Sequence, residues 1–199
     1  MRGMLIIISG PSGSGKGTVV KQLKSDKYAL SISVTTRKKR EGEVDGVDYF
    51  FRTEEEFVHM RENNEFLEHE AYVGHLYGTP RKYVEEQIEL GKVVILEIEV
   101  NGALRVKEKF PEAVLIFLIP PTIHLLAERL AFRNTEDQVQ IEDRMERALK
   151  EIELIGQYDY LVVNDKLELA LSDIDTIIAA EFLKPCRSQT RIEKFTLER

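Results

Sequence analysis

An apolar strand, a glycine-rich turn and a helix follow one another in LIIISGPSGSGKGTVV, residues 5–20. The turn has the spacing G-x-x-x-x-G-K, in which backbone N–H groups surround phosphate oxygens and the lysine reaches the outer phosphates. A plain glycine-rich turn is the alternative, but the apolar run before it and the helix after it favour a phosphate-binding loop. The residues expected to contact phosphates are Gly10, Pro11, Ser12, Gly13, Ser14, Gly15, Lys16, Gly17 and Thr18.

Gly17 stands where the strict motif carries a serine or threonine that binds Mg²⁺. Thr18 supplies a hydroxyl one residue later, still within the first helical turn, where it can bond a phosphate oxygen. The string GKGT resembles the form found in nucleoside monophosphate kinases. That resemblance implies that Mg²⁺ is held largely through nucleotide phosphates and water, and it favours a small-molecule kinase over a GTPase switch.

The composition limits the partners. A chain of 199 residues corresponds to one domain, or to one core with insertions. Its formal net charge of -7 repels nucleic acid and anionic membranes, so an anionic ligand must meet a local cluster of basic residues. The single cysteine, Cys186, excludes an internal disulfide, and no apolar run approaches the ~20 residues of a membrane span. We expect a cytoplasmic monomer or homodimer that binds neither nucleic acid nor membrane.

Three further apolar runs resemble the strand before the phosphate loop. They are KVVILEIEV (92–100), AVLIFLIPP (113–121) and YDYLVVND (158–165). Helical segments lie between them, and this alternation predicts an α/β sandwich with a central parallel sheet. Residues from about 31 to 80 break the alternation, because SISVTT, DYFF and EFLEHEAYV indicate short strands around one helix. We predict a small mixed unit inserted into the sandwich.

Local signals predict where the helices begin and end. Thr53 is expected to open a capped helix, and Thr79 a second one, with Pro80 as its first residue. Gly91 is expected to close that second helix. Two more helices are predicted from the pairs Thr135 with Gln138 and Asp165 with Glu168, ended by Gly156 and Pro185 respectively. The last residues, 184–199, indicate a tail or a terminal helix.

The segment SVTTRKKREGEVDGVDYFF, residues 33–51, gathers four basic residues in an acidic chain. A solvated basic turn or a targeting patch is the alternative interpretation. Arg37, however, follows two threonines at a strand end, and Tyr49 lies just beyond a glycine-containing turn. Arginine can bind a phosphate through two parallel hydrogen bonds, and tyrosine can add an O–H donor. The segment therefore predicts a second phosphate site.

By these motifs the chain resembles the guanylate kinases. GPSGSGKGT, SVTTRKKREGEVDGVDYFF, FLEHEAYVGHLYGT, ILEIEVNG and YDYLVVND match the family in order, over residues from about 4 to 183. The resemblance implies ATP-dependent phosphorylation of GMP, and of dGMP, to GDP in purine nucleotide metabolism, with ATP as donor and Mg²⁺ as cofactor. It also implies a three-layer core (1–31, 82–122 and 153–199), a GMP-binding insertion (32–81) and a helical lid (123–152).

The resemblance assigns roles residue by residue. The GMP phosphate is expected to bind Arg37, Arg40, Tyr49 and Tyr77; guanine is expected to bind Ser33, Glu68 and Thr79; Glu43 and Glu99 belong to the same pocket; and Asn164 contacts ATP. Glu68 fits guanine chemically, because one carboxylate can accept from both N1–H and the exocyclic amine, whereas adenine presents an acceptor at N1. Without this context, Glu68 would be interpreted as a surface or capping residue.

Glu97 and Glu99 lie two residues apart in ILEIEVNG, so on a strand both would face the ligand crevice. Family members more often carry aspartates at these positions. We expect Glu97, with Thr18, to serve Mg²⁺ through water and Glu99 to serve GMP, although the sequence leaves open which carboxylate has which role. Two solvated carboxylates at a strand end are the alternative.

The lid segment departs from the arginine-rich family pattern RLRGRG-T. Ala131 replaces an arginine, and Phe132 and Asn134 replace glycines. Arg133 and Arg144 remain at positions expected to clamp the transferring phosphoryl group, so the predicted catalytic residues are Lys16, Arg37, Arg133 and Arg144. Arg129 and Arg147 are predicted to be surface residues paired with glutamates along their helices.

Two alternatives remain open. The first is a non-catalytic guanylate-kinase-like domain that binds proteins, since a fold does not fix a function. Such domains typically lose the phosphate loop, which is intact here. The second is a kinase of the same fold that acts on another phosphorylated small molecule. A guanylate kinase needs no general base, because the attacking phosphate oxygen is already ionised, and none is evident in the sequence.

Overall fold

The computed structural model describes residues 2–23, 25–72, 74–131 and 138–197. Within these residues the strands are β1 Met4–Ser9, β2 Tyr28–Leu30, β3 Val34–Thr35, β4 Phe50–Phe51, β5 Phe66–Tyr72, β6 His75–Pro80, β7 Val93–Glu97, β8 Val114–Ile119 and β9 Tyr160–Val163. The helices are α1 Lys16–Gln22, α2 Glu54–Glu62, α3 Arg81–Glu89, α4 Val100–Lys109, α5 Ile123–Ala131, α6 Gln138–Glu153, α7 Leu167–Glu181 and α8 Gln189–Leu197, with short 3-10 helices at Leu154–Gln157 and Pro185–Arg187. None of the helices in this part of the chain combines the length and apolar character that a membrane span requires.

A five-stranded parallel sheet forms the centre, in the order β2-β7-β1-β8-β9. Alternate residues of β1 point to opposite faces, and both faces are buried. Ile6 and Ile8 pack with residues of α1 and α7, whereas Leu5 and Ile7 pack with residues of α3 and α4. The predicted three-layer α/β sandwich with a parallel sheet is therefore confirmed. Its edge strand β2 was not predicted, because Tyr28–Leu30 is too short to form an apolar run.

A second, four-stranded sheet in the order β4-β3-β6-β5 is the mixed unit predicted from residues 31–80. Strands β3 and β4 are parallel, whereas β6 pairs antiparallel with both β3 and β5. Its own small core contains Phe57 of α2 stacked on Phe66 of β5, with ring centroids 4.6 Å apart. On its other side β5 lies against α4, where Lys109 Nζ donates to the Leu67 carbonyl at 3.2 Å.

The predicted helix ends are partly correct. Thr53 caps α2 as predicted, and Gly91, with a φ of 81°, closes the turn after α3. Thr79 does not cap α3: it is the fifth residue of β6, and Pro80 precedes the helix without a side-chain cap. Asp165 does not cap α7 either, because Lys166 occupies the cap position.

Three other end predictions have different outcomes. Helix α6 ends at Glu153, three residues before the predicted stop, and continues into a 3-10 turn that contains Gly156. Helix α7 ends at Glu181, and Pro185 begins a separate 3-10 turn rather than ending α7. The predicted capping residue Thr135 lies outside the described residues.

The cap of α2 gives a test of the local stability of the four-stranded unit. The Thr53 hydroxyl accepts from the Glu56 backbone N–H at 3.1 Å, and the Glu56 carboxylate accepts from the Thr53 N–H at 2.7 Å. Thr53→Ala should lower the free energy of unfolding by about 1 kcal/mol, because it leaves a helix N–H without its partner. Thr53→Ser keeps the hydroxyl and is the control in urea-induced unfolding. Equal losses in the two variants would contradict this account.

Candidate active site

The phosphate loop connects β1 to α1 through backbone conformations that glycine adopts readily. Gly10, Gly13 and Gly15 have φ values of 142°, 86° and 92°. A Cβ at Gly10 would lie 2.2 Å from the carbonyl oxygen of Leu118 in β8, so no other residue fits there. The adjacent strand thus holds the start of the loop in place.

Side chains from distant segments meet at this loop. Lys16 Nζ donates to the carbonyl oxygens of Gly10 at 2.6 Å and Pro11 at 3.1 Å. The predicted catalytic residue Arg144, on α6, donates from Nη2 to Ser12 Oγ at 2.9 Å. Asn164, which follows β9 and is buried, donates from Nδ2 to the Ser14 carbonyl at 2.9 Å. The structure therefore brings these predicted residues together around the loop.

Ser14 adds an observation that suits a phosphate ligand. Its Oγ is buried and has no hydrogen-bond partner among the described residues. A buried hydroxyl without a partner is costly in a folded protein. A phosphate oxygen in the loop is an acceptor that such a hydroxyl can use.

The position of Arg129 contradicts the prediction that it is a surface residue paired with a glutamate. From α5 its guanidinium reaches the loop, with Nη1 3.5 Å from the Ser14 carbonyl oxygen and Nη2 3.4 Å from the Asn164 carbonyl oxygen. No glutamate lies three or four residues from Arg129, and α5 packs Leu126 and Leu130 against Gly13 of the loop, so its arginine reaches the loop instead of a helix-surface partner. Arg133 lies outside the described residues, so its predicted role as a phosphoryl clamp stays a prediction.

Glu97 ends β7 directly beside the phosphate loop. In the parallel pairing of β1 with β7 it is the partner of Ile8, two residues before the loop begins. Its carboxylate oxygens lie 3.5 and 3.7 Å from where a Cβ on Gly17 would stand. The Glu97 carboxylate therefore lies against the first turn of α1, at ordinary van der Waals distance from that position. Desolvation raises the pKa of Glu97, while Lys16 and Lys21 act in the opposite direction.

The residues near the loop fit a divalent cation bound mainly by phosphates. Among the described residues, no group of three or more His, Cys, Asp or Glu could hold a metal by itself. Glu97 gives one carboxylate and Thr18, exposed in the first turn of α1, one hydroxyl. Mg²⁺ is commonly bound through one or two carboxylates together with substrate phosphates and water, and this donor set suits it.

A second cluster forms around Arg37. Its guanidinium makes two hydrogen bonds to the Glu43 carboxylate, at 2.7 and 3.1 Å, and lies over the Tyr49 ring with the cation 5.4 Å from the centroid. The Tyr49 and Tyr77 rings meet edge to face at 6.1 Å. Hydrogen bonds from Glu43 and then Tyr77 raise the pKa of Arg37, and burial opposes them. Arg40 is exposed nearby, and its backbone N–H donates to Glu43 at 2.8 Å.

A third cluster surrounds Glu68 on β5. This carboxylate is only 5% exposed, and its Oε1 accepts from the Thr79 hydroxyl at 3.0 Å. That hydrogen bond explains why Thr79 does not cap α3. Burial raises the pKa of Glu68, whereas the bond from Thr79 and the charge of Arg105 lower it. Ser33 immediately precedes β3 in the same sheet.

The prediction that Glu97 and Glu99 lie on the same face of one strand is wrong. Strand β7 ends at Glu97, and Glu99 is the N-cap of α4, accepting from the backbone N–H groups of Asn101 and Gly102. Burial, and then the nearby Glu70, raise the pKa of Glu99 to about 7. The two carboxylates therefore serve different places: Glu97 faces the phosphate loop and Glu99 faces the Glu68 cluster.

The comparisons with known proteins agree with this geometry. The family model for guanylate kinase matches residues 2–181. The crystal structure of guanylate kinase from Anaplasma phagocytophilum is 33% identical and superposes with a TM-score of 0.76, covering 94% of this chain and 89% of that one. TT1252 from Thermus thermophilus shares the fold at 16% identity, with a TM-score of 0.55 over 92% of this chain and 100% of that one. The chain therefore belongs to the guanylate kinase family and is an enzyme, a nucleotide kinase.

Proposed function

We propose that the protein transfers the γ-phosphoryl group of ATP to GMP, and to dGMP, with GDP or dGDP and ADP as products. The observation that carries this proposal is the buried Glu68 carboxylate with its Thr79 partner. Guanine offers two adjacent N–H donors to a carboxylate, whereas adenine, cytosine and uracil do not present that pair in the same place. A buried carboxylate that meets no donor is strongly unfavourable, so Glu68 selects guanine.

The acceptor phosphate would bind in the Arg37 cluster. Arg37 and Arg40 give it positive charge, and Tyr49 and Tyr77 give it hydroxyl donors. Glu43 already occupies the Arg37 fork and holds the guanidinium in its plane. Arg37 is thereby oriented before the nucleotide binds, and a phosphate has further donors to use beside it.

The donor phosphates would bind in the loop around Lys16, with Arg144 and Arg129 beside it and Arg133 on the lid segment. These cations would neutralise the charge that spreads over the transferring group. Asn164 orients the Ser14 carbonyl and through it the loop. The attacking phosphate oxygen is ionised at neutral pH, so the protein's contribution is to align the two phosphates and exclude water.

Glu97, at the end of β7 beside the loop, and Thr18 would hold Mg²⁺ through water. Bound there, the ion would draw charge from the donor phosphates. The charge of Glu97 also acts on Tyr49, whose pKa is raised first by burial and then by Tyr77 and Glu97. Glu97 is thus within electrostatic reach of both phosphate sites.

This mechanism also supports dividing the chain by function. We propose a core of residues 1–31, 82–122 and 153–199, a GMP-binding insertion of residues 32–81 and a lid of residues 123–152. The insertion supplies Arg37, Tyr49 and Glu68, and the core supplies Lys16 and Glu97. Movement of the insertion toward the core would shorten the distance between the acceptor and the donor.

The experiment measures ADP release from ATP with GMP, dGMP, AMP, CMP or UMP as the acceptor, with and without EDTA. We expect turnover with GMP and dGMP, and kcat/KM values for the other three lower by about 10³-fold or more. EDTA should abolish turnover and added Mg²⁺ restore it. Higher turnover with another acceptor would indicate a kinase of a different small molecule. No turnover by the folded protein would favour the protein-binding alternative.

A further inference from the structure

Arg105 on α4 contacts two carboxylates of strand β5 and the carboxylate that caps its own helix. Its Nη2 hydrogen-bonds to Glu70 of β5, lies 3.5 Å from Glu99 Oε1, and lies 4.0 Å from Glu68 Oε2. Its Nε is buried and has no hydrogen-bond partner among the described residues. The described hydrogen bonds that hold the guanidinium are those from Nη2 to Glu70 and Glu99.

Glu68 and Glu70 are two residues apart on β5, so both point to the face that α4 covers. Nη2 of Arg105 carries two N–H groups and donates to Glu70 and to Glu99 Oε1, so Glu68 lies farther away, beyond hydrogen-bond distance. Lys109, one turn further along α4, contributes positive charge to Glu68 but donates its hydrogen bond to the Leu67 carbonyl.

The two oxygens of the Glu68 carboxylate consequently have different surroundings. Oε1 accepts from Thr79, whereas Oε2 lies beyond hydrogen-bond distance of Arg105. Oε2 is also 3.3 Å from where a Cβ on Gly102 would stand, so the glycine keeps space open beside it. The charge of Glu68 is stabilised from 4.0 Å while one oxygen stays available as an acceptor.

We propose that Arg105 is a positioning residue for guanine recognition: Glu70 anchors its guanidinium at a distance that keeps Glu68 ionised but leaves Glu68 Oε2 available to the base. This inference rests on the proposed function, because it requires GMP as the acceptor. Closer to Glu68, the guanidinium would compete with guanine for the carboxylate. Farther away, it would leave a buried charge without compensation.

Substitutions of Arg105 and of Glu70 should therefore weaken GMP binding for different reasons. Arg105→Gln removes the compensating charge. Glu70→Gln weakens the anchor, so Arg105 moves to Glu68 and competes with the base. Each change should raise the KM for GMP about tenfold, the size of one charge interaction at a partly buried site, with kcat and the KM for ATP changed less than about twofold.

The double variant Arg105→Gln with Glu70→Gln distinguishes positioning from a loss of packing. Once Arg105 is absent, Glu70 has nothing to anchor, so the double variant should be no worse than Arg105→Gln alone. Arg105→Lys keeps the charge but loses the planar fork, and its KM for GMP should lie between those of the wild type and Arg105→Gln.

Arg2→Gln is the matched control, because Arg2 bridges Glu89 and Glu112 far from the site. It should leave both KM values unchanged. An unchanged KM for GMP in Arg105→Gln or Arg105→Lys would overturn the inference, as would additive losses in the double variant. If the wild type turned over no GMP, the proposed function would fail and this inference with it. If the wild type turned over GMP but the Arg105 and Glu70 variants had the same KM for GMP as the wild type, only this inference would be rejected.

Discussion

Glu68→Gln is expected to lower kcat/KM for GMP by roughly 10³-fold, because the glutamine amide cannot accept two N–H donors side by side. The substitution keeps the size of the side chain and the hydrogen bond that Thr79 donates to Oε1. The loss should appear mainly in the KM for GMP, since Glu68 lies in the base cluster and not at the phosphate loop. Steady-state ADP release with GMP and AMP measures it, with Glu85→Gln on the exposed face of α3 as the control.

The same variant should be more stable than the wild type at alkaline pH. Burial raises the pKa of Glu68 above the ordinary value of a glutamate, 4.5, so the folded state binds its proton more tightly than the unfolded state. The stability that this group contributes is present at low pH and is lost as the pH rises from about 4.5 through the folded pKa. Glutamine does not titrate, so the difference in melting temperature between Glu68→Gln and wild type should be larger at pH 8 than at pH 5. A difference of the same size at both pH values would contradict the assignment of Glu68 as a buried, ionised group.

Lys16→Met should lower kcat by about 10³-fold, the typical effect of removing one preorganised donor that stabilises charge in a transition state. Lys16 begins α1 and reaches back over the loop to the carbonyls of Gly10 and Pro11, so its ammonium group lies where the donor phosphates would bind. Methionine keeps most of the side-chain length and removes the charge. Binding of GMP should persist, because the acceptor clusters belong to the four-stranded sheet and its loops.

Calorimetric titration with GMP, together with the rate of ADP release, separates these two effects. Lys82→Met, at an exposed position on α3, is the control for the loss of one lysine charge. Loss of GMP binding in Lys16→Met to the same extent as the loss of rate would show that the substitution had damaged the whole site. Retention of more than a tenth of the rate would remove Lys16 from the catalytic residues.

The parts of the fold that could be predicted from the sequence are those encoded by local runs. Strands β1, β7, β8 and β9 are apolar segments bounded by turns, and Thr53 lies three residues before the glutamate that completes its capping box. Thr79 and Asp165 carry equally good local signals, and both predictions were wrong. Thr79 uses its hydroxyl for Glu68, eleven residues away in sequence, and no local pattern can report that competition.

In the candidate site, too, contacts between residues that are distant in sequence could not be predicted from local patterns. The loop residues and Arg37 lie in contiguous motifs, whereas Arg129 and Arg105 act across 115 and 35 residues of sequence respectively. Glu99 was assigned to the strand because its spacing from Glu97 is two residues, but α4 begins there and takes Glu99 as its cap. An N-cap signal was present in that stretch, since an acidic residue before a helix is favourable, and it could have placed Glu99 correctly.

The pairing of β1 with β7 has a mechanical consequence. A continuous ladder from Met4 opposite Val93 to Ile8 opposite Glu97 joins the strand that enters the phosphate loop to the strand that carries the carboxylate. A slip of one residue would displace Glu97 by about 3.3 Å and turn its side chain to the other face of the sheet. The ladder thus fixes Glu97 beside the loop, and in the proposed reaction the acceptor would approach the donor through movement of the four-stranded sheet.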